Sequence, residues 1–213
     1  MQRLRITEIF YSLQGETSTV GIPTVFVRLT GCPLRCQYCD TAYAFSGGKN
    51  YTIDEVLTTI SSYKTKYVTV TGGEPLAQTA CHALLKKLCD LDYIVSLETS
   101  GALAISAVDP RVIKIVDIKT PGSLEVAKNN FDNVPYLLSH DQVKFVICDR
   151  NDYEWSKKIM DQFKLSEKCD ILFSPSFNQM RYADLADWIL ADQLPVRFQV
   201  QLHKVIWGDV AGK

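Results

Sequence analysis

No stretch of this sequence approaches the roughly 18 to 20 apolar residues that a membrane-spanning helix needs. Internal repeats and low-complexity segments are missing as well, which excludes solenoids and biased linkers. An excess of one charge is also absent, since 23 Lys and Arg balance 24 Asp and Glu for a formal net charge of −1. Such a balance gives no electrostatic reason to expect nucleic acid or an anionic membrane as a partner. The N-terminal residues Met1–Glu8 hold no apolar signal core. Cysteine is not scarce, but its seven residues are an odd number, which argues for a reducing, cytoplasmic setting rather than a disulfide framework.

What is present fits one α/β domain over residues 1–213, long enough to bury a sizeable core. Short runs rich in Val, Ile, Phe or Tyr predict strands at 24–29, 67–71, 93–98, 112–118, 142–147, 170–173 and 196–200. Helix signals lie between them. Thr52-Ile53-Asp54-Glu55 reads as a capping box opening a helix to about Tyr63. Leu84, Leu85, Leu88 and Leu91 recur at helical spacing, as do Ala183, Ala186, Trp188 and Ile189, and Asn151 or Asp152 caps a helix carrying Trp155, Ile159 and Phe163. Alternation of this kind implies parallel strands with right-handed crossovers. The Glu98–Val112 connection is too short, and too broken by Gly101 and Pro110, for a crossover helix. The expected architecture is therefore an abbreviated, partly open (β/α) barrel, with chemistry at the C-terminal ends of its strands.

The most informative feature is Cys32-x3-Cys36-x2-Cys39, in a loop directly after the apolar run Val25-Phe26-Val27. A closed structural zinc site needs four donors, and the nearest histidine, His82, is far away in sequence. Three thiolates on a four-iron cluster leave one iron free for another ligand, which makes such a site catalytic. A zinc knuckle or a non-catalytic iron–sulfur module is the plainer alternative. Gly72-Gly73-Glu74-Pro75 follows the strand Tyr67–Val70, and its glycines permit a sharp turn and close approach of a ligand to the main chain. Alone, it reads equally well as a structural turn into a helix. Cys81, Cys89, Cys148 and Cys169 lie scattered in apolar or helical contexts and read as packing thiols.

Together, CxxxCxxC and GGEP resemble the signature of the radical S-adenosylmethionine (SAM) superfamily. Within it, Phe10–Glu16, Gly21–Leu29, Cys39-Asp40-Thr41, Glu98–Gly101 and Gln201-Leu202-His203-Lys204 resemble the 7-carboxy-7-deazaguanine synthase family, from about residue 6 to about residue 207. The resemblance implies ring contraction of 6-carboxy-5,6,7,8-tetrahydropterin to 7-carboxy-7-deazaguanine with loss of ammonia, a step toward queuosine-type deazapurines. It also implies a [4Fe-4S] cluster on Cys32, Cys36 and Cys39, SAM regenerated after each turnover, Mg2+, a one-electron donor such as flavodoxin or ferredoxin, and a homodimer. By matching positions, Leu13, Gln14, Gly15, Arg28 and Thr71 touch the pterin. Tyr38, Cys39, Asp40, Gly73, Glu74, Asp117, Ile118 and Lys119 touch SAM, and Thr41 ligates Mg2+. A glycyl-radical activase shares CxxxCxxC and an Asp-x-Lys strand, but gives no reason for the Leu-Gln-Gly-Glu loop. The chain departs from the family pattern in having Asp117-Ile118-Lys119 where some members have Ser-Pro-Lys. It also continues past His203-Lys204 through Lys213, which leaves the role of the C-terminal residues open.

The residues themselves fit these roles without forcing them. An amide such as Gln14 both donates and accepts along a pterin edge, and Arg28 supplies a cation for a carboxylate. Mg2+ takes few protein oxygens and completes its shell with water and substrate, as a Thr41 hydroxyl beside Asp40 allows. Each has a plainer reading: a turn at Gln14-Gly15, an ion pair at Arg28, a helix cap at Asp40-Thr41. Glu98 ends an apolar strand, where a carboxylate needs a partner, and either contacts the pterin or pairs inside the barrel. His203, in a tail that reads as strand, is either a substrate-side group or structural.

Overall fold

A computed structural model describes residues 2–212. The chain opens with a strand, β1 (Arg3–Leu13), followed by β2 (Pro23–Leu29), β3 (Lys49–Thr52) and α1 (Ile53–Ser61). Next come β4 (Tyr67–Gly72), α2 (Ala80–Asp90), β5 (Ile94–Thr99), β6 (Ile113–Asp117), β7 (Gln142–Ile147) and α3 (Arg150–Phe163). The chain ends with β8 (Asp170–Pro175), α4 (Tyr182–Ala191), β9 (Arg197–Phe198) and α5 (Leu202–Trp207). Among the described residues, nine strands form one sheet in the order β3-β1-β2-β4-β5-β6-β7-β8-β9. From β2 to β9 every neighbouring pair is parallel. The sheet stays open, as expected, because β3 and β9 are edges rather than partners.

All seven expected strands are present, 142–147 with the expected ends and the other six with shifted ends. β1 and β3 were not expected; they extend the β2 edge as antiparallel strands. β1 carries Arg3, Arg5 and Glu8 among strand-favouring residues such as Ile6, Ile9, Phe10 and Tyr11, so it does not read as one apolar run, and its pairing with β2 and β3 settles its state.

The capping box is formed: Thr52 Oγ1 accepts from the Glu55 N–H at 3.2 Å, and the Thr52 N–H donates to Glu55 Oε2 at 2.7 Å. α3 starts earlier than expected, because Asp149 rather than Asn151 or Asp152 supplies the cap oxygen, to the Asp152 N–H at 2.9 Å. Asp152 is instead buried, accepting from Thr120 Oγ1, the Gly122 N–H and the Cys148 N–H. In α2, Leu84, Leu85 and Leu88 are buried, but Leu91 caps the helix and is 56% exposed.

The β5–β6 connection has no helix, as its length implied. Asn133, from the segment after β6, serves its backbone instead. Its amide nitrogen donates to the Gly101 and Leu103 carbonyls at 3.0 and 2.9 Å, and its oxygen accepts from the Ile105 N–H at 3.0 Å. Buried backbone groups are thereby paired without regular structure.

The parallel strands alternate in chemistry. Val25, Val27 and Leu29 of β2, Val68 and Val70 of β4, Val95 and Leu97 of β5, and Val143, Phe145 and Ile147 of β7 belong to the helix-side core. The intervening residues Phe26, Arg28, Thr71, Glu98, Asp117 and Lys144 line the concave side. A strand's period of two makes this separation automatic. Parallel strands covered on both faces usually read as unbroken apolar runs, so polar residues at alternate positions mark a second face that is not a hydrophobic core.

Candidate active site

The concave face encloses a cavity of about 490 Å³. Its wall takes residues from the C-terminal halves of β2, β4, β5, β6 and β7, from the 13–16 and 31–41 loops, from the turn after β8, and from the tail. Cys32, Cys36 and Cys39 lie in the second loop, and all three line the cavity. Several contacts fix this loop. The Gly31 N–H donates to the Ala44 carbonyl at 2.8 Å, the Gln37 N–H donates to the Ser123 carbonyl at 3.1 Å, and Leu34 is buried beneath it. Gly31 has φ +100°, a backbone conformation that other residues rarely adopt.

The GGEP turn packs directly on this loop. The Glu74 N–H donates to the Gly31 carbonyl at 2.8 Å, and a Cβ on Gly73 would run into that carbonyl and Cys32 Cβ. The two motifs, separate in sequence, are thus one structural unit. Glu74 itself corrects an expectation. Its side chain is fully buried outside the cavity wall. It accepts from the Leu76 N–H at 3.0 Å, from Thr99 Oγ1 at 2.9 Å and from the Ser100 N–H at 2.8 Å. Its carboxylate ties the ends of β4 and β5 together instead of facing a ligand. Ile118 packs its side chain in the hydrophobic core, which leaves its main chain as the part that can meet a ligand.

Burial pushes the thiols up, Cys32 and Cys39 above their ordinary value and Cys36 to about 11. Iron therefore displaces protons when it binds, as thiolate ligation requires. Among the described residues, no three Cys, His, Asp or Glu side chains converge on one point as a single-ion site would. A cluster distributes its thiolates over different irons, so three thiols spread along one loop at the cavity wall fit a cluster better than a zinc knuckle. On the same side, Tyr38 Oη and Asp117 Oδ1 are buried and have no hydrogen-bond partner in the protein. A buried donor and a buried acceptor left open at a cavity wall suit a ligand with both hydroxyl and ammonium groups, as SAM has. Lys119 Nζ sits 3.1 Å from Asp117 Oδ2 and 5.9 Å from the Tyr38 ring centroid. Burial works against both charges of that pair, yet their mutual attraction wins, holding Asp117 low, where Lys144 adds to the effect, and Lys119 high, where Lys144 opposes it.

The other half of the cavity is built by the 13–16 loop. Gln14 is 2% exposed. Its Nε2 donates to Thr69 Oγ1 at 3.1 Å and Glu98 Oε1 at 3.4 Å, while its Oε1 accepts from the Glu16 N–H at 3.2 Å. Both amide hydrogens are thus already committed, and one lone pair remains for a ligand. Glu98 also accepts from Thr71 Oγ1 at 2.9 Å. Burial, then the nearby Glu16, raise Glu98 above the usual carboxylate range. Arg28 donates to Glu8 Oε1 at 2.8 Å and lies over the Phe10 ring, 5.6 Å from its centroid. The ion pair holds Arg28 against the cavity wall, where its guanidinium lines the same space as Thr71 and Glu98.

The C-terminal residues close this half. His203 is in α5 rather than in a strand, and its ring packs so tightly on Gly15 that a Cβ there would strike Nδ1. Burial lowers its pKa, favouring the neutral ring. Lys204 Nζ reaches Asp40 Oδ2 at 3.3 Å and Asp209 Oδ1 at 2.7 Å, and Thr41 Oγ1 donates to Asp40 Oδ1 at 2.7 Å. Asp40 falls to about 2, because the Thr41 hydroxyl and the Lys204 charge outweigh its partial desolvation.

Leu13, Gln14, Gly15, Arg28, Thr71, Tyr38, Asp40, Thr41, Gly73, Glu98, Asp117, Lys119 and His203 therefore surround one cavity with the three cysteines. Sequence reasoning missed Lys144, Gln201 and the 176–179 turn, which also line it. The signals existed: Ser176–Gln179 follow the end of β8, and Lys144 interrupts an apolar strand.

Residues 26–164, well over half of the chain, match the family described as Radical SAM superfamily. The 7-carboxy-7-deazaguanine synthase of Chlorobaculum tepidum is 45% identical, covering 98% of this chain and 96% of that protein. The enzyme of the same name from Koribacter versatilis is 41% identical over 96% and 97%. In fold, the crystal structure of QueE from Escherichia coli is similar with a TM-score of 0.78 at 21% identity, covering 94% of this chain and 95% of that one. The chain belongs to the 7-carboxy-7-deazaguanine synthase family of radical SAM enzymes.

Proposed function

We propose that this protein contracts the ring of 6-carboxy-5,6,7,8-tetrahydropterin to 7-carboxy-7-deazaguanine, releasing ammonia and using SAM catalytically. One observation carries the reading. The Cys32–Cys39 loop and the Leu13–Glu16 loop open on one cavity, so a radical source and a pterin-sized substrate have a common space. The conversion removes nitrogen as ammonia without net oxidation, so the enzyme needs a radical initiator but no stoichiometric oxidant.

When bound to Cys32, Cys36 and Cys39, the cluster with SAM supplies reductively initiated hydrogen-atom abstraction, and the protein supplies the rest. Tyr38, Asp40, Gly73, Asp117 and Lys119 hold SAM. On the pterin side, Arg28 faces the substrate carboxylate while Thr71, Gln14 and the 13–15 backbone orient the ring. Glu98, which accepts from Gln14 and Thr71, presents its carboxyl group to the ring edge.

Mg2+ belongs to this reading through Thr41, whose hydroxyl beside Asp40 offers one oxygen to an ion completed by water and substrate. Pro33, Arg35 and Gln37 are exposed on the cluster loop, which supports access by a one-electron donor of the flavodoxin or ferredoxin class. Exposed Val205, Ile206 and Val210 leave apolar surface for a second copy in a homodimer. No helix among the described residues is long and apolar enough to cross a membrane; a cytoplasmic enzyme working as a single domain completes the proposal.

The test is anaerobic reconstitution with iron and sulfide, followed by SAM, reductant, Mg2+ and the carboxytetrahydropterin. The expected products are the carboxydeazaguanine and ammonia, with deuterium from substrate C6 appearing in recovered SAM. Stoichiometric consumption of SAM would sink the regenerating cycle. Thr41→Ala should raise the Mg2+ requirement and leave the cluster spectrum intact; normal turnover at low Mg2+ would make Thr41 a structural hydroxyl.

A further inference from the structure

Lys144 lies on β7, on the concave side of the sheet, with its side chain 14% exposed at the cavity wall. Its Nζ is 2.8 Å from Glu16 Oε2 and 3.3 Å from Asp117 Oδ2. The two carboxylates come from different halves of the site. Glu16 ends the Leu13–Glu16 loop, and its other oxygen accepts from Gln201 Nε2 at 2.9 Å. Asp117 opens the Asp117–Lys119 segment. Its Oδ2 is shared with Lys119 at 3.1 Å, while its buried Oδ1 has no donor.

We infer that Lys144 is a positioning residue that couples the two halves of the cavity, so that a ligand on Asp117 organises the loop carrying Glu16. The inference rests on the assignment of these halves to SAM and pterin made above. A donor that engages the open Oδ1 of Asp117 competes with Lys144 for that carboxylate's charge. The ammonium then leans toward Glu16 and stiffens the 13–16 loop. Glu16 is bonded through its N–H to Gln14 Oε1, and Gln14 donates to Glu98, so the adjustment reaches the groups nearest the pterin.

A purely structural role fits less well. β7 is already fixed by ladders to β6 and β8 and by the fully buried Val143, Phe145 and Ile147 on its other face. Nor is Lys144 an optional surface charge. Without it, Glu16 and Asp117 would lose the cation that lies between them, a loss that buried carboxylates do not tolerate well.

The experiment uses cluster-loaded protein without reductant, so that no turnover occurs. The pterin dissociation constant is measured by equilibrium dialysis with and without saturating SAM. For the natural sequence, SAM should tighten pterin binding about tenfold, within the usual range of coupling between sites. In K144M that factor should fall to about one, with each ligand alone also bound more weakly. K144R, which keeps the charge, should retain most of the factor. E16Q combined with K144M removes the stranded carboxylate and should recover pterin affinity relative to K144M, but not the coupling.

A K144M protein that keeps the tenfold factor would overturn the inference, as would a natural protein that binds both ligands with no mutual effect. Should K144M fail to fold, the coupling must be kept in K144R and lost in the double variant; any other order overturns it. Failure of the natural, cluster-loaded protein to bind the pterin at all would instead overturn the functional reading.

Discussion

The two faces of the same parallel strands obey different rules. On the helix side, β7 presents Val143, Phe145 and Ile147, each fully buried in a continuous apolar core. One residue over, on the concave side, it presents Lys144 between two carboxylates. β5 repeats the contrast, with Val95 and Leu97 on one face and Glu98 on the other. The convex face holds the fold together by burial, which is non-directional and tolerant in its details. The concave face holds charges whose pKa values are displaced by burial and by each other, a costly arrangement retained where ligands will be bound. Stability and chemistry are thus separated by a single residue step along each strand.

The sharpest break in that comparison is at the cluster loop. Cys32→Ala, Cys36→Ala or Cys39→Ala should each abolish the iron-dependent visible absorbance and all product formation, with urea unfolding of the metal-free protein little changed. Cys81→Ala and Cys169→Ala, on the core side, should do the reverse, keeping the iron and losing stability. Loss of iron in either of these would mean that the ligands are misassigned.

Phe145→Ala comes next. It deletes a fully buried ring that meets Phe173 and Trp155 edge to face. The expected cost is about 3–5 kcal/mol in urea unfolding. A cost below about 1 kcal/mol would deny that this face carries the stability.

Glu98→Gln, on the opposite face, should invert the pattern. It replaces a buried carboxylate held above its usual range with a neutral group of similar shape. Thermal stability should hold or rise, while pterin binding or turnover falls roughly tenfold or more, the range for a charged hydrogen bond. A large drop in stability with unchanged pterin binding would place Glu98 with the structural carboxylates, beside Glu74. The smallest expected effect is at the tail. Gly15→Ala should displace His203 and weaken pterin binding by a few-fold, and His203→Ala in the same protein should restore it. No rescue would mean that the 13–16 loop itself fails.

Much of this was legible in the strands and motifs, and the misses have physical causes. The seven parallel strands read as β-branched and aromatic runs, and the Thr52–Glu55 cap announced α1 with its own side chains. β1 was not legible, because its mixed composition makes it a strand only beside β2 and β3. Glu74 was misread because its motif says where the turn is, not which way the carboxylate points. Thr99 and Ser100, at the end of a different strand and just beyond it, provide the donors that bury it. His203 looked like part of a strand and is helical, because the tail folds back on the 13–16 loop: the Leu202 N–H donates to the Gly15 carbonyl at 2.9 Å.

The sequence by itself determined the local chemistry: three thiols in one loop, a Gly-Gly-Glu-Pro turn after a strand, strands with their period of two, and the family they identify. Those properties depend on residue type and near-neighbour spacing, which a linear chain fixes before it folds. Only the tertiary structure decided which groups share a cavity. It brought Lys144 to Glu16 across 128 positions and Lys204 to Asp40 across 164, and it buried Glu74 while leaving Asp117 Oδ1 open. Electrostatic coupling acts over a few ångströms in space, and no spacing along the chain encodes that distance.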